Sequence, residues 1–192
     1  STTSVYGSQS NLVDENCEYK NLRPQSPYAS IKLKEEKELN KLSKENKLKV
    51  VILRFGTIYG ISKGMRFHTA VYKFCFQACI NKPISIWKTA YNQKRPYLDL
   101  NDAIRALIFV VNKNLFDGET YNILTANHTV KDVVSKIKKS KSKVKLEFIN
   151  SKIMNQLSYE VSNTKFKKKG FVFKGDLQNS IHKTINLLKN IK

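Results

Sequence analysis

The segment Ser26-Pro27-Tyr28-Ala29-Ser30-Ile31-Lys32 decides the fold, because it begins a helix and carries two side chains that can do chemistry. Serine is preferred immediately before a helix, and proline is favoured at the first helical position. Tyr28 and Lys32 lie four residues apart, so the phenol and the ammonium share one helix face. A nearby cation favours the phenolate and lowers the pKa of a tyrosine from its ordinary value of about 10. The pair therefore predicts a tyrosine that acts as an acid and a base.

The segments on both sides of this helix predict an α/β fold. The helix is expected over 27–46, and 49–54 forms a continuous apolar strand of the kind buried in parallel sheets. Upstream, the run Ser1-Thr2-Thr3-Ser4-Val5-Tyr6-Gly7 supplies hydroxyl groups after the end of a strand. That is the edge of an α/β sheet where ligands bind. Hydroxyl, phenol and ammonium are thus expected to converge.

The rest of the chain alternates between helix and strand patterns. Helices are expected at 69–80, 103–111, 129–139 and 177–188, and strands at 84–87, 97–100, 121–124 and 144–149, with a loop over 56–64. Asn101 or Asp102 is expected to cap the helix over 103–111. That helix is apolar on most faces, which predicts that it is buried.

Several further motifs follow in a fixed order. They are Leu53-Arg54-Phe55-Gly56-Thr57-Ile58-Tyr59-Gly60, Gly64-Met65-Arg66-Phe67 and Arg95-Pro96-Tyr97-Leu98-Asp99-Leu100-Asn101-Asp102-Ala103. Together with the hydroxyl run and Y-x-x-x-K, these motifs resemble the extended short-chain dehydrogenase/reductase family, in its branch of NAD-dependent nucleotide-sugar epimerases and dehydratases. The resemblance covers nearly the whole chain.

The resemblance implies an α/β fold that is the C-terminal part of a Rossmann-type doubly wound parallel sheet, with a small mixed α/β substrate lobe. Residues 1–60 would be the C-terminal half of the NAD-binding domain. Residues 61–192 would be mainly the lobe, with the chain crossing back to the sheet near 97–125. The family begins with a glycine-rich G-x-x-G-x-x-G turn that binds the cofactor pyrophosphate. The chain has seven glycines, and none forms this turn. We therefore expect a fragment or a truncated gene product that is inactive alone.

The resemblance also implies roles for individual residues. Tyr28 would be the base that takes the sugar hydroxyl proton, Lys32 would bind the nicotinamide ribose, and Thr2 would hold the sugar hydroxyl. Phe55 and Gly56 would lie beside the nicotinamide. The cofactor would be NAD or NADP, because the residue that selects between them would lie in the absent half.

Four further residues are expected to contact the nucleotide-sugar substrate. Arg95 matches a family arginine that binds the diphosphate, a task suited to a planar guanidinium. Thr57 stands where many epimerases have asparagine. Trp87 would stack on the nucleobase or belong to the core, and Arg66 would face the substrate or pair with a helix end.

Thr3 and Ser4 indicate which reaction the family member would run. Dehydratases of the family carry an Asp-Glu acid pair here, because elimination of water needs a second proton donor and acceptor. Hydroxyl side chains stand in its place. The sequence therefore favours epimerisation or simple oxidoreduction.

Composition limits the partners. The formal net charge is +20, mostly from lysine, which would attract anions. Lysine-rich usage is also typical of AT-rich genomes, so we do not expect nucleic acid as a partner. A non-catalytic remnant, or a basic binding module that acts through this lysine surface, is the alternative function.

The cysteines and the hydropathy pattern indicate where in the cell the protein is expected. The three cysteines lack the spacing and histidine company of a zinc site, so no metal is expected. We expect them to be reduced thiols of a cytoplasmic protein. No apolar run approaches the length of a membrane span. A homodimer is also expected from the resemblance.

Overall fold

The structure, a computed structural model, describes residues 1–9, 12–150 and 158–190. The strands in these residues, numbered in chain order, are Leu12–Val13 (β1), Ile52–Phe55 (β2), Thr57–Tyr59 (β3), Ile84–Trp87 (β4), Lys94–Asp99 (β5), Thr120–Ile123 (β6), Ala126–Thr129 (β7), Leu146–Ile149 (β8) and Glu160–Val161 (β9). The helices are Pro27–Lys44 (α1), Ala70–Cys79 (α2), Leu100–Asn112 (α3), Val130–Ser140 (α4), Thr164–Lys168 (α5) and Leu177–Leu188 (α6).

Parallel pairing dominates the sheets. β2 pairs with β6, β3 with β5, β4 with β8, and β1 with β9, all in parallel, while β7 pairs antiparallel with β5. Parallel neighbours need long crossover connections, and α2 and α3 lie in such connections. This arrangement confirms the predicted α/β class. The division of the chain at residue 60 stays a prediction.

The helix starts follow from local capping. Ser26 accepts a hydrogen bond from the Ala29 amide at 3.2 Å, and Pro27 occupies the first turn of α1. This start confirms the predicted one, and the helix ends two residues earlier than expected. Asn46 has a φ of 56°, a left-handed conformation that cannot continue a helix.

Helix α3 differs from its prediction in two ways. It begins at Leu100 and is capped by Asp99, whose side chain accepts from the Asn101 amide at 2.8 Å, so neither Asn101 nor Asp102 is the cap. It is also not buried. A narrow stripe packs inward, at Ala103, Ala106 and Val110. The opposite side is open, with half or more of each side chain exposed or nearly so at Ile104, Leu107, Ile108 and Val111. An apolar composition was therefore a poor guide to burial here.

Two of the core clusters account for most of the packing. One joins α2, α4 and α6 to β4 and contains Cys75 and Cys79, whose thiols are buried and free. The other packs α3 against β6 and a group of aromatic rings around Phe166. The two clusters meet at β5, where Tyr97 belongs to the first and the neighbouring Leu98 to the second.

The predicted loop over 56–64 was wrong in part, because it contains β3, which pairs with β5 from Thr57 to Tyr59. β7 was also missed: it has no apolar alternation, and all four residues are half-buried. Within the described residues, no helix has the length and apolarity needed to cross a bilayer.

Candidate active site

The hydroxyl run lies beside the end of β2. Thr2 forms an isolated parallel bridge with Phe55, and the Phe55 amide donates to the Ser1 carbonyl at 3.2 Å. The chain then tightens into a 3₁₀ turn, Thr3–Tyr6. The Thr2 hydroxyl caps this turn by accepting from the Ser4 amide at 3.2 Å, and it is almost fully buried.

Tyr28 and Lys32 occupy the first two turns of α1, as the sequence predicts. The Tyr28 side chain is 58% exposed, so the phenol is accessible. The Lys32 ammonium donates to a Glu35 carboxylate oxygen at 2.7 Å. This hydrogen bond, together with the negative charge of a Tyr28 phenolate, raises the pKa of Lys32 above its ordinary value. Lys32 therefore remains a cation near the phenol.

A buried ion pair fixes α1 against the sheet. Arg54 on β2 donates from Nε and Nη2 to the two carboxylate oxygens of Glu36, at 3.0 and 2.7 Å. The Ser1 hydroxyl donates to the same carboxylate at 2.5 Å. Burial would lower the pKa of Arg54, but the hydrogen bonds and charge of Glu36 raise it overall. One carboxylate thus ties the helix of Tyr28 to the strand and to the hydroxyl run.

These elements surround a cavity of about 660 Å³, here called the Tyr28 cavity. The lining residues that the sequence predicts as site residues are Thr2, Tyr28, Phe55, Gly56, Thr57 and Arg66. Gly56 is required by a close approach, because a Cβ atom there would lie 3.0 Å from the Pro96 carbonyl oxygen and 3.3 Å from the Leu124 side chain. A larger residue here would therefore push β2 away from β5 and from Leu124.

Three predicted site residues do not line this cavity. Lys32 lies one turn further along α1 from Tyr28. Trp87 ends β4 and is 41% exposed, so it is not a core tryptophan. Arg95 lies on β5, where it pairs across the strand with His128. Their predicted roles toward cofactor and substrate remain untested.

Other lining residues were not predicted from the sequence. His68, Thr69 and Tyr72 come from the segment that enters α2, and Ser62 comes from the preceding loop. The Tyr72 hydroxyl donates to the Gly60 carbonyl, and burial raises the pKa of this tyrosine. A lone histidine between loop and helix carries no sequence signal, although the G-M-R-F motif immediately before it marks the same segment.

Comparison with known proteins identifies the family of the chain. The model of the NAD dependent epimerase/dehydratase family matches residues 1–123. An uncharacterized UDP-glucose epimerase of Bacillus subtilis is 34% identical over 168 residues, covering 85% of the chain and 49% of the relative. The human dTDP-D-glucose 4,6-dehydratase is 27% identical over 194 residues, covering 96% of the chain and 54% of the relative. The chain thus spans about half the length of these curated relatives.

Solved structures resemble the whole chain. A UDP-glucuronic acid 4-epimerase of Bacillus cereus, in complex with UDP-glucuronic acid and NAD, superposes with a TM-score of 0.86 at 25% identity. It is covered to 60%, while all of the present chain is covered. A UDP-glucose 4-epimerase of Thermus thermophilus in complex with NAD gives a TM-score of 0.81 at 22% identity, with 100% of this chain and 63% of that one covered. The second likeness shows the fold alone.

Proposed function

Because the chain belongs to the NAD-dependent epimerase/dehydratase family, we propose that it forms the proton-transfer and sugar-binding part of an NAD-dependent nucleotide-sugar epimerase. The observation that carries this proposal is the Tyr28 cavity. It brings a hydroxyl run, an accessible phenol and a cationic side chain, Arg66, to one space. The nucleotide-sugar is the substrate class of the curated relatives, as their names state.

Different residues of the chain have different roles in this proposed reaction. Tyr28 takes the proton of the sugar hydroxyl, and Thr2 holds that hydroxyl by a hydrogen bond. Lys32 supplies a positive charge one helical turn from the phenol and binds the nicotinamide ribose. Phe55 and Gly56, which both line the cavity, hold the nicotinamide side. Bound NAD supplies the hydride acceptor and donor that lets the ring carbon change its configuration.

The pyrophosphate of NAD needs a further binding element. A glycine-rich turn at a helix N-terminus is the usual site, and no such turn is present among the 192 residues. We therefore include in the proposal that the chain is inactive alone and works with a segment that provides this turn. The preference for NAD over NADP would be set in that segment.

Thr3 supports epimerisation over dehydration. Its hydroxyl donates to the Phe55 carbonyl at 3.3 Å and contacts the Tyr159 hydroxyl at 3.4 Å, and the residue is 1% exposed. A neutral and buried hydroxyl cannot provide the acid and base that elimination of water requires. Ser4 lines the cavity but is equally neutral at working pH.

The Arg66 guanidinium in the cavity suggests an acidic sugar. Arg66 and His68 both line it, and a guanidinium is well suited to bind a carboxylate. The Bacillus cereus structure contains UDP-glucuronic acid, a sugar with such a group. We propose a UDP-linked uronic acid as the substrate, with Arg66 as the residue that selects it.

We propose the cytoplasm as the location of the enzyme. Its three free cysteines suit a reducing compartment, which supports the cytoplasm. A homodimer remains part of the proposal, and nucleic acid stays outside it.

The test uses an enzyme in which this chain is joined to a cofactor-binding half. Tyr28→Phe is expected to lower turnover by about 10²–10⁴-fold, the usual contribution of general acid–base catalysis, and to leave nucleotide binding nearly unchanged. Products from UDP-glucuronic acid and UDP-glucose with NAD are identified by NMR. The matched control is Tyr19→Phe, which removes a hydroxyl that accepts from Asn40 outside the Tyr28 cavity.

The outcomes separate the candidate functions. An inverted ring carbon without loss of water supports the proposal. A 4-keto-6-deoxy sugar would replace epimerisation by dehydration, and full activity of Tyr28→Phe would remove Tyr28 from the mechanism. Absence of turnover in the joined enzyme would favour the non-catalytic remnant or basic binding module.

A further inference from the structure

A second cavity lies against the C-terminal half of α1. It has a volume of about 640 Å³ and is bounded by α1, the start of β6 and the loop that contains Tyr19. The residues that carry the argument are Tyr19, Lys37, Lys41, Lys44, Arg54 and Lys165, and the space is here called the Lys41 cavity. It shares no lining residue with the Tyr28 cavity. We propose that the Lys41 cavity binds a small phosphorylated organic ligand.

Three lysines of α1 face this cavity together. Lys37, Lys41 and Lys44 are spaced by four and three residues, which places them on one helix face. None of the three has an ion-pair partner among the described residues. The Lys37 ammonium lies 5.7 Å from the centre of the Tyr19 ring. The lysines thus concentrate unpaired positive charge at one wall.

Arg54 adds a buried donor to that wall. Its Nε and Nη2 atoms are held by Glu36, whereas Nη1 is buried and has no hydrogen-bond partner among the described residues. The residue is 3% exposed and lines the Lys41 cavity. A buried donor without an acceptor is rare in folded proteins. A phosphate oxygen is a suitable acceptor for a guanidinium.

The acidic residues of the cavity are already engaged. Glu45 pairs with Lys47 at 2.6 Å, and Glu119 pairs with Lys165 at 2.7 Å. Glu15 accepts from the Asn122 amide at 2.7 Å, and burial raises its pKa, which disfavours the charged form. The excess charge of the cavity is therefore positive.

Size and shape favour an organic phosphate over a bare ion. The volume lies within the range of small-molecule pockets. One side is formed by Tyr19, which is 39% exposed and whose hydroxyl accepts from the Asn40 amide group at 2.6 Å. This bond fixes the ring as a flat wall beside the lysines. The position is remote from the chemistry, since Tyr28 and Lys44 are sixteen residues apart, or about 24 Å along the helix.

The test measures binding of inorganic pyrophosphate, the anionic part of such a ligand, by calorimetry on the whole chain. Citrate, with a similar charge, is the comparison anion. We expect saturable binding of pyrophosphate that is clearly tighter than that of citrate. Lys41→Gln/Lys44→Gln should weaken it at least about tenfold, which is 1.4 kcal/mol.

The matched control is Lys138→Gln/Lys139→Gln. Those lysines lie exposed in the last turn of α4, as Lys41 and Lys44 lie in the last turns of α1, and the change in net charge is the same. This control should keep the original affinity, as should Arg66→Gln, whose residue lines the Tyr28 cavity.

Three results would overturn the proposal. Equal weakening by both lysine pairs would mean that pyrophosphate responds only to overall charge. Equal affinity for citrate would remove the preference for phosphate. Loss of binding in Arg66→Gln alone would move the anion to the Tyr28 cavity, a result that would leave the proposed epimerase function intact.

Discussion

The ion pair of Arg54 and Glu36 shows how one residue positions a site that it does not line. Glu36 is 1% exposed and binds a strand side chain and the Ser1 hydroxyl at once. Charged groups are costly to bury unless each finds its partner, so the pair is a strict constraint on the angle between α1 and β2. The accessible position of Tyr28 depends on that angle.

We expect Glu36→Leu to lower the free energy of unfolding by about 3–5 kcal/mol, because the change leaves the Arg54 charge buried without its partner. Urea denaturation measures this change. The double variant Glu36→Leu/Arg54→Met should recover most of the loss, since two apolar side chains leave no unpaired charge. A double variant that is less stable than Glu36→Leu would contradict the interpretation of the pair as a desolvated unit.

Some of the residues that line the Tyr28 cavity belong to a recognisable sequence motif, and others do not. Thr2, Tyr28 and Gly56 stand in short motifs, and the structure places all three at one cavity. His68 and Tyr72 enter the same cavity only because the loop after β3 folds back toward α1. Such a contact joins residues about forty positions apart, and no spacing rule connects them.

Hydrogen bonds at the ends of helices help to hold these helices in place. At the start of α4, Thr129 accepts from the Asp132 amide at 3.0 Å while Asp132 accepts from the Thr129 amide at 2.8 Å. This reciprocal arrangement satisfies two backbone donors that a helix start leaves free. It also connects β7 directly to α4, since Thr129 is the last residue of that strand.

Asp132→Asn is expected to lower the stability by about 1 kcal/mol at pH 7, the usual value of a helix cap. The hydrogen bonds from Thr129 lower the pKa of Asp132 below 3.8. The stabilisation is therefore present above that value and is lost as the pH falls through the lower pKa of the folded state. Urea midpoints of both proteins should converge toward acid pH. Glu38→Gln replaces an exposed side chain on α1, so it should leave the urea midpoint unchanged at both neutral and acid pH.

The elements also show the limits of pattern reasoning. Long periodic helices were predicted within a few residues, and β4 was predicted at its observed bounds. The prediction that α3 is buried was wrong, because the composition of a helix does not show which of its faces have neighbours. β3 is too short and β7 is too polar for a period of two to be visible, and both strands pair with β5.

At the scale of the whole molecule, the chain belongs to an NAD-dependent family, but it lacks the glycine-rich turn that usually binds the cofactor pyrophosphate. The residues proposed for proton transfer and for contact with the sugar hydroxyl lie around one cavity, whereas the sequence holds no glycine-rich turn. Motif order and fold could thus be predicted from the sequence, while no motif in it marks a binding element for the cofactor pyrophosphate.

We expect calorimetry of the 192-residue chain with NAD to show only weak binding, because the pyrophosphate lacks its helix N-terminus. Joining the chain to a half that carries the turn should restore tight binding. Micromolar affinity of the chain alone would show that some other element of it binds the phosphates.

The contact between α2 and α6 has a consequence for synthesis of the protein. The Cys79 thiol approaches the Ile185 carbonyl at 3.7 Å although 106 residues separate them. α4 packs on the same late helix. A nascent chain must therefore carry the apolar faces of both earlier helices uncovered until residues 177–188 have left the ribosome. Contacts of such long range fold slowly, and surfaces exposed during that delay are where chaperones bind and aggregation begins.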